Sequence, residues 1–211
     1  MDLQISVFLL FILFTAGHSL SCYECRSSLG SCAFQEKKTC PSESLYCVST
    51  TGVVQIGGIK TVNKFKGCEA DCQSGSTNIG YSKMTLSCCN TDLCNAQDAP
   101  DPNTNVPNGK KCFSCDEKSC SNTLSCLGTE DRCFKATGEN LEKDLTTVGG
   151  LSVVSKGCIS KNICDVTAAG TLIPNVKDFS CCEGNMCNGA QSVSQSFLFL
   201  CCSLLSYFLL Q

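Results

Sequence analysis

The hydrophobic residues of this chain are concentrated in two runs, one near each end. Residues 7–14 read VFLLFILF, and residues 197–210 read FLFLCCSLLSYFLL. Between these runs, no segment keeps a 3.6-residue apolar period over three turns, which argues against long amphipathic helices. The pattern therefore predicts two targeting segments that flank a region without long helices.

The first run has the length of a signal-peptide h-region. Eight residues with a rise of about 1.5 Å each are too few to cross a hydrocarbon core of about 30 Å. Gly17 and Ser19 place small residues at the positions that signal peptidase reads. We therefore expect a signal peptide at residues 1–19, with cleavage after Ser19. A buried N-terminal helix is the alternative.

The second run predicts a glycosylphosphatidylinositol (GPI) attachment signal. As a helix it would span about 21 Å, which is short of a bilayer crossing. It follows three small residues, Asn188, Gly189 and Ala190, and a polar spacer at residues 191–196. We expect the lipid at Asn188 and removal of residues 189–211. The alternative is a retained single-pass anchor with palmitoylated Cys201 and Cys202.

The segments between the cysteines have the composition of paired β-strands. Residues 45–51 (LYCVSTT) and 59–65 (IKTVNKF) are rich in strand formers and flank Gly57-Gly58, a pair typical of turns. In the second half of the chain, residues 132–137 and 151–156 flank Gly149-Gly150 in the same way. These patterns predict a small all-β, loop-rich fold.

Composition narrows the class of protein. The chain has 22 cysteines in 211 residues, about one in ten, which is typical of a disulfide scaffold made in an oxidising compartment. Its net charge is −3, whereas a nucleic-acid binder would show a basic excess. We therefore expect a protein of the secretory pathway that has no nucleic-acid partner.

Candidate catalytic chemistry is sparse. The one histidine, His18, lies in the expected signal peptide, and the chain has no G-x-S-x-G motif or glycine-rich phosphate loop. Two C-x-x-C pairs could mark a redox or zinc site, but no helix pattern follows them, and zinc would leave most cysteines unexplained. The neighbouring acids Asp116-Glu117 and Glu130-Asp131 would face opposite sides of a strand, so solvated loop charges are the better interpretation of both pairs. We predict no enzyme, metal, cofactor or small-molecule substrate.

The cysteines between the two ends form two copies of one pattern. Each copy opens with C-x-x-C (CYEC, CFSC) and closes with C-C-x4-C-N (CCNTDLCN, CCEGNMCN). Residues 96–111 between them hold three of the five prolines and predict a flexible linker. We expect two domains, residues 20–95 and 112–188, each small enough to depend on disulfides. Spacing alone does not select the cysteine pairs.

The opening motif, the closing motif, the ten cysteines per copy and the two end signals resemble the Ly-6/urokinase-receptor (Ly-6/uPAR, three-finger) family. The resemblance implies two tandem three-finger domains with five disulfides each, in which three β-loops project from a disulfide knot. For the first domain it implies the pairs Cys22–Cys47, Cys25–Cys32, Cys40–Cys68, Cys72–Cys88 and Cys89–Cys94. For the second it implies Cys112–Cys133, Cys115–Cys120, Cys126–Cys158, Cys164–Cys181 and Cys182–Cys187.

The resemblance also implies a function. An asparagine after the last cysteine of each copy, Asn95 or Asn188, is expected to hydrogen-bond into the knot. The protein is expected on the extracellular face of the cell membrane, held by a GPI lipid, where it binds an extracellular or cell-surface protein without catalysis, in the manner of the urokinase receptor. The alternative is a soluble two-domain phospholipase inhibitor of the gamma type, which carries no anchor signal.

Charges suggest one candidate binding surface. Lys60, Lys64 and Lys66 alternate along the second predicted strand of domain 1 and would share one face with Val62. The corresponding loop of domain 2 is acidic, with Glu139, Glu142 and Asp144. Complementary charges of this kind steer protein partners. An ordinary solvated strand face is the alternative reading of the lysine stripe.

Overall fold

The computed structural model describes residues 19–28, 30–116, 119–139, 152–168 and 176–189. The expected signal peptide apart from Ser19, the expected tail from residue 190 onward, and residues 140–151, with Glu142 and Asp144, lie outside the described residues. Within the described part of the chain, no helix combines the length and the apolar character that a membrane crossing needs.

The described residues form an antiparallel β-structure with one short α-helix. Its elements are β1 (Ser21–Ser27), β2 (Glu36–Thr39), β3 (Tyr46–Ile56), β4 (Ile59–Glu69), β5 (Gly75–Asn78), β6 (Ser82–Cys89), β7 (Pro107–Ser114), β8 (Asn122–Leu127), β9 (Arg132–Glu139), β10 (Ser152–Ile159), α1 (Lys161–Ala168) and β11 (Val176–Cys182). The predicted small all-β, disulfide-rich fold class is confirmed. Helix α1 has only eight residues, so it is too short to show an apolar period over three turns.

The four strands predicted from sequence are present, and all four are longer than predicted. Strands β3 and β4 pair along eleven residues each, from Tyr46 opposite Glu69 to Ile56 opposite Ile59. Gly57 and Gly58 join them with φ of +58° and +83°, the left-handed backbone that a two-residue hairpin requires and that glycine adopts without strain. This hairpin is called finger 2 of domain 1 below, and the β5–β6 hairpin is called finger 3.

A nine-stranded sheet runs through both halves of the chain, in the order β11-β9-β10-β5-β6-β3-β4-β1-β2. Strand β5 of domain 1 (residues 20–95) pairs antiparallel with β10 of domain 2 (residues 112–188), with Asn78 opposite Cys158 and Thr77 opposite Ile159. Strands β7 and β8 form a separate two-stranded sheet. The two domains are therefore joined edge to edge by backbone pairing.

Disulfides form the centre of each domain. The structure contains Cys22–Cys47, Cys25–Cys32, Cys40–Cys68, Cys72–Cys88 and Cys89–Cys94 in domain 1, and Cys112–Cys133, Cys115–Cys120, Cys126–Cys158, Cys164–Cys181 and Cys182–Cys187 in domain 2. These are the pairs that the family resemblance implies. Each bridge joins residues of one domain. Bridges of this kind typically contribute about 2–4 kcal/mol each, which lets such small domains fold.

The segment between the domains packs against domain 1, which differs from the flexible linker expected from its composition. The Ser49 hydroxyl donates to the carbonyl of Gln97 at 3.0 Å, and the Thr51 hydroxyl donates to that of Ala99 at 2.7 Å. A 3-10 turn follows at Pro102–Thr104, and β7 begins at Pro107. Polar side chains on the face of β3 therefore fix the linker backbone, and composition alone does not reveal such partners.

Candidate functional site

The end of finger 2 in domain 1 presents large apolar side chains to solvent. Ile56 is 61% exposed and Ile59 is 73% exposed, and these two residues lie opposite each other beside the Gly57-Gly58 turn. Tyr81, in the turn of finger 3, is 50% exposed at the same end of the sheet. The amide of Gln55 donates to the carbonyl of Tyr81 at 2.8 Å, which ties the two turns together. We call Ile56, Ile59 and Tyr81 the apolar tip.

The apolar tip is exposed because finger 2 extends beyond its neighbour. Strand β6 pairs with β3 only as far as Ser82 opposite Val54, so the last residues of β3 project past the sheet. Neither residues 46–67 nor residues 73–91 contain an aspartate or glutamate. Lys60 is exposed next to Ile59. The surface is therefore apolar with a positive border, a combination found at protein-binding sites.

The three lysines of the predicted stripe have different environments. Lys60 is exposed and lines an open groove between β4 and the linker. Lys64 pairs with Asp98 of the linker at 2.6 Å. Lys66 is only 2% exposed and donates to Gln35 Oε1 and the Ala96 carbonyl, both at 2.6 Å, with Asp98 Oδ1 at 3.0 Å. Lys66 thus binds the linker. The three lysines therefore do not form a continuous solvated stripe.

Asp98 completes this anchor of the linker. Partial burial alone would raise the pKa of the Asp98 carboxyl, but the hydrogen bonds and charges of Lys64 and Lys66 together outweigh it and lower the pKa. The carboxylate is thus ionised at neutral pH and balances the buried Lys66 ammonium. A buried ammonium without such partners would be strongly unfavourable.

An asparagine closes the disulfide knot of each domain. Asn95 Oδ1 accepts from the Tyr23 amide at 2.8 Å, and Asn95 Nδ2 donates to the carbonyls of Tyr23 and Val48 at 2.9 and 3.0 Å. Asn188 makes the same three bonds, each at 2.9 Å, to the amide and carbonyl of Phe113 and the carbonyl of Phe134. Both side chains are buried. Each asparagine therefore connects the first strand of its domain to the central hairpin.

Two sulfur clusters have metal-like spacing but different chemistry. The sulfur atoms of Cys22, Cys40 and Cys68 lie within 4.8 Å of one another, as do those of Cys112, Cys126 and Cys158 in domain 2. All six cysteines are in disulfides. Because a disulfide sulfur is not a thiolate, these clusters are packed bridges and lack the ligands that zinc requires.

The junction between the domains contains a buried carboxyl group that the sequence analysis took for a solvated charge. Glu130 is 1% exposed, and its Oε2 accepts from the Leu127 amide at 2.8 Å. It faces the side chains of Ser76 and Asn78 on β5. Burial raises the pKa of Glu130 to about 7, although the Leu127 amide, these two side chains and the charge of Lys83 act in the opposite direction.

The two domains of the chain match two different family models. The model of the u-PAR/Ly-6 domain matches residues 18–97, and the model described as snake toxin and toxin-like protein matches residues 111–188. The u-PAR/Ly-6 model thus matches the first domain, and the toxin-like model matches the second. The chain belongs to the Ly-6/uPAR family.

Receptors and inhibitors of the Ly-6/uPAR family are among its relatives. The urokinase plasminogen activator surface receptor of Rattus norvegicus is 28% identical over 91% of this chain and 62% of the receptor. The receptor of Mus musculus is 28% identical over 83% of this chain and 56% of the receptor. The phospholipase A2 inhibitor CNF of Crotalus durissus terrificus is 29% identical over 74% of this chain and 81% of the inhibitor. The chain thus spans about 60% of the length of the receptors it matches.

Sequence reasoning missed two features of this Ly-6/uPAR chain that the structure brings forward. The sequence analysis placed Ile59 at the start of a strand and Gly57-Gly58 in a turn, but it did not mark Ile56 and Ile59 as exposed at the end of the hairpin. The junction had one signal, Gly157, which directly follows the strand predicted at residues 151–156, because a glycine at the end of a strand often marks close approach of another backbone. Nothing in the sequence identified β5 as the strand that approaches it.

Proposed function

We propose that this chain is a GPI-anchored cell-surface protein that binds an extracellular protein partner without catalysis, as a receptor, adhesion molecule or modulator. The apolar tip of domain 1 carries the proposal, because the large side chains of Ile56 and Ile59 are exposed to solvent and are bordered by Lys60. The similarity to surface receptors named for urokinase plasminogen activator supports the receptor class. The ligand itself is left to experiment, because this chain spans only part of those receptors.

The proposed anchor lies at the end of domain 2. Asn188 is the proposed attachment residue, and its side chain is engaged with Phe113 and Phe134. Attachment uses the main-chain carboxyl group, so the amide side chain can keep these bonds. Attachment at Gly189 or Ala190 would leave the knot further from the lipid.

Release by a phospholipase tests the anchor. Cells expressing the chain with a tag after Ser19 are expected to lose surface staining into the medium on treatment with phosphatidylinositol-specific phospholipase C. A matched control, Leu200→Arg with Leu204→Arg, interrupts the apolar tail and is expected to remove the surface signal before treatment. Staining that resists the enzyme would favour a retained hydrophobic tail.

The second candidate function is a soluble phospholipase inhibitor. The similarity to the phospholipase A2 inhibitor CNF, over 81% of that protein, favours it. Under this function the untreated wild-type protein would accumulate in the medium, and the medium would inhibit a secreted phospholipase A2. The inhibitor function would be excluded if the untreated protein did not accumulate in the medium, the medium did not inhibit phospholipase A2, and phosphatidylinositol-specific phospholipase C released the protein from the cell surface.

Substitutions in the apolar tip test the binding surface. Ile56→Ser with Ile59→Ser is expected to weaken binding of fluorescent tetramers of this chain to partner-bearing cells at least tenfold, because buried apolar anchors dominate protein interfaces. The melting temperature should stay within a few degrees of wild type, since both side chains are exposed. Leu45→Ser with Val106→Ser, which removes exposed apolar side chains elsewhere, is the control. Equal binding by both variants would place the site outside the tip.

A further inference from the structure

The junction between the two domains combines apolar, backbone and buried polar contacts. Ile79 and Leu86 of domain 1 pack against the cluster that contains Ile159 and Ile163 of domain 2. The amide of Ser160 donates to the carbonyl of Ser76 at 2.9 Å, and the amide of Ser76 donates to Ser160 Oγ at 2.9 Å. These contacts align the short β5–β10 pairing.

Polar side chains in the junction are left without partners on the domain 1 side. Ser76 Oγ, Asn78 Nδ2 and Thr85 Oγ1 are buried and, among the described residues, have no hydrogen-bond partner. Ser76 and Asn78 are also the β5 side chains that face Glu130 of domain 2, and they stabilise its ionised form by less than burial destabilises that form. An ionised Glu130 at this place is incompletely solvated, and burying such a charge is costly.

We propose that this junction is an acid-tightened clasp, in which Glu130 fastens domain 2 to domain 1 when it is protonated and loosens the β5–β10 pairing when it is ionised. The proposal goes beyond the binding function and does not depend on the identity of the partner. Its consequence is a tandem pair that is rigid in mildly acidic surroundings and mobile at the pH of the extracellular medium.

The direction follows from proton linkage. An exposed glutamate releases its proton near pH 4.5, whereas burial in the junction raises the pKa of Glu130 to about 7. Between these values the docked state holds a proton that the undocked state has lost. Docking is therefore fully favoured below about pH 4.5, weakens as the pH rises, and is weakest above about pH 7, with a total change of the order of 100-fold in the docking equilibrium.

Within the part of the chain that the structure describes, few charged groups surround Glu130. Lys83 on β6 is the cation whose charge acts on it, and β5 itself carries no ionisable side chain. The neighbouring Asp131 accepts from the Lys161 amide at the start of α1 and pairs with Arg132 of β9. Strand β8 has no ionisable side chain. Asn108 of β7 donates to the main-chain carbonyl of Glu130. On β10, the Lys156 ammonium donates to the Cys120 carbonyl.

Distance measurements between the domains test the clasp. Spin labels on unnatural amino acids at Phe34 of domain 1, which is 98% exposed, and at the exposed Lys135 of domain 2 avoid the cysteines. In the full chain, purified in mild detergent, the distance distribution is expected to be narrow at pH 5 and broad at pH 8, with the change falling between pH 5 and about pH 7. The one histidine of the chain, His18, lies in the expected signal peptide, so a change between pH 5 and pH 7 has no ordinary histidine to explain it.

Glu130→Gln keeps the shape of the protonated side chain and is expected to give a narrow distribution at both pH values. Glu183→Gln, at an exposed carboxylate of the same domain, is the matched control and should respond as wild type. A wild-type distribution of equal width at pH 5 and pH 8 overturns the proposal, as does a Glu130→Gln variant that keeps the wild-type response. Should Glu130→Gln fail to fold, the wild-type pH series alone decides between these outcomes.

Discussion

Gly157→Ala is expected to separate the two domains while leaving both folded. A Cβ atom at this position would lie 2.1 Å from the carbonyl oxygen of Asn78 and 3.1 Å from the Cα atom of Ile79. Both contacts are with the backbone of domain 1, which cannot rotate away as a side chain could. Strand β5 must therefore move away from β10, and the bonds between Ser76 and Ser160 are lost.

Amide hydrogen exchange and small-angle scattering measure this separation. At pH 5, where the wild-type junction is closed, we expect protection of the Ser76 and Ser160 amides to fall at least tenfold and the maximum dimension of the particle to increase, because the pairing that protects them is removed. Amides of the β3–β4 ladder, within domain 1, should keep their protection. The same measurement at pH 5 and pH 8 should show no pH response of the junction, since the clasp is already open.

Gly52→Ala is the control for Gly157→Ala. It also adds a methyl group to a strand, but the nearest atom is the Asn63 carbonyl oxygen at 3.9 Å, an ordinary contact. It is expected to leave exchange at the junction unchanged and to alter stability by less than about 1 kcal/mol. Unchanged protection in Gly157→Ala would mean that the domains do not dock through β5 and β10 in solution.

Asn95→Ala is expected to cause a large loss of stability in domain 1. The substitution removes three buried hydrogen bonds and leaves the amide of Tyr23 and the carbonyls of Tyr23 and Val48 without that partner. Because unsatisfied buried polar groups cost about 1–3 kcal/mol each, we expect the free energy of unfolding to fall by about 3 kcal/mol or more. Urea denaturation with intact disulfides measures this change, and the secreted yield should fall with it.

Asn90→Ala provides the comparison, because Asn90 is exposed in the same region of domain 1. Its effect is expected to stay within about 0.5 kcal/mol. Asn95 is the informative member of the two knot asparagines, since Asn188 is also the proposed lipid site and its loss would combine two effects. A change below about 1 kcal/mol in Asn95→Ala would show that the knot does not depend on this side chain.

Much of the fold could be predicted because its determinants are local and repeated. The Gly57-Gly58 turn and the strand formers around it are neighbours in sequence, so the β3–β4 hairpin follows from short-range rules. The two copies of the cysteine pattern indicate two domains for the same reason. The choice of cysteine partners is different, because it depends on the family resemblance and not on spacing.

The environments of Lys66 and Glu130 could not be predicted, because each depends on a segment distant in sequence. Alternation on β4 correctly places Lys64 and Lys66 on one face, but the linker that covers them comes about thirty residues later. Glu130 next to Asp131 has the composition of a solvated turn, and only the approach of β5 buries it. Polarity along one strand does not reveal what packs over it.

The β5–β10 pairing has a consequence for biosynthesis. Domain 1 has all five of its bridges within residues 22–94, so it can complete its knot while domain 2 is still being made. At that stage the outer edge of β5 has no neighbour, and an unpaired edge is a template for strands of other chains. In two nascent molecules, the exposed β5 edges are then available to pair with each other at the position that β10 later occupies. Domain 2 thus protects domain 1 from aggregation by covering the edge of β5. A chain truncated before β10 should therefore form oligomers in the secretory pathway.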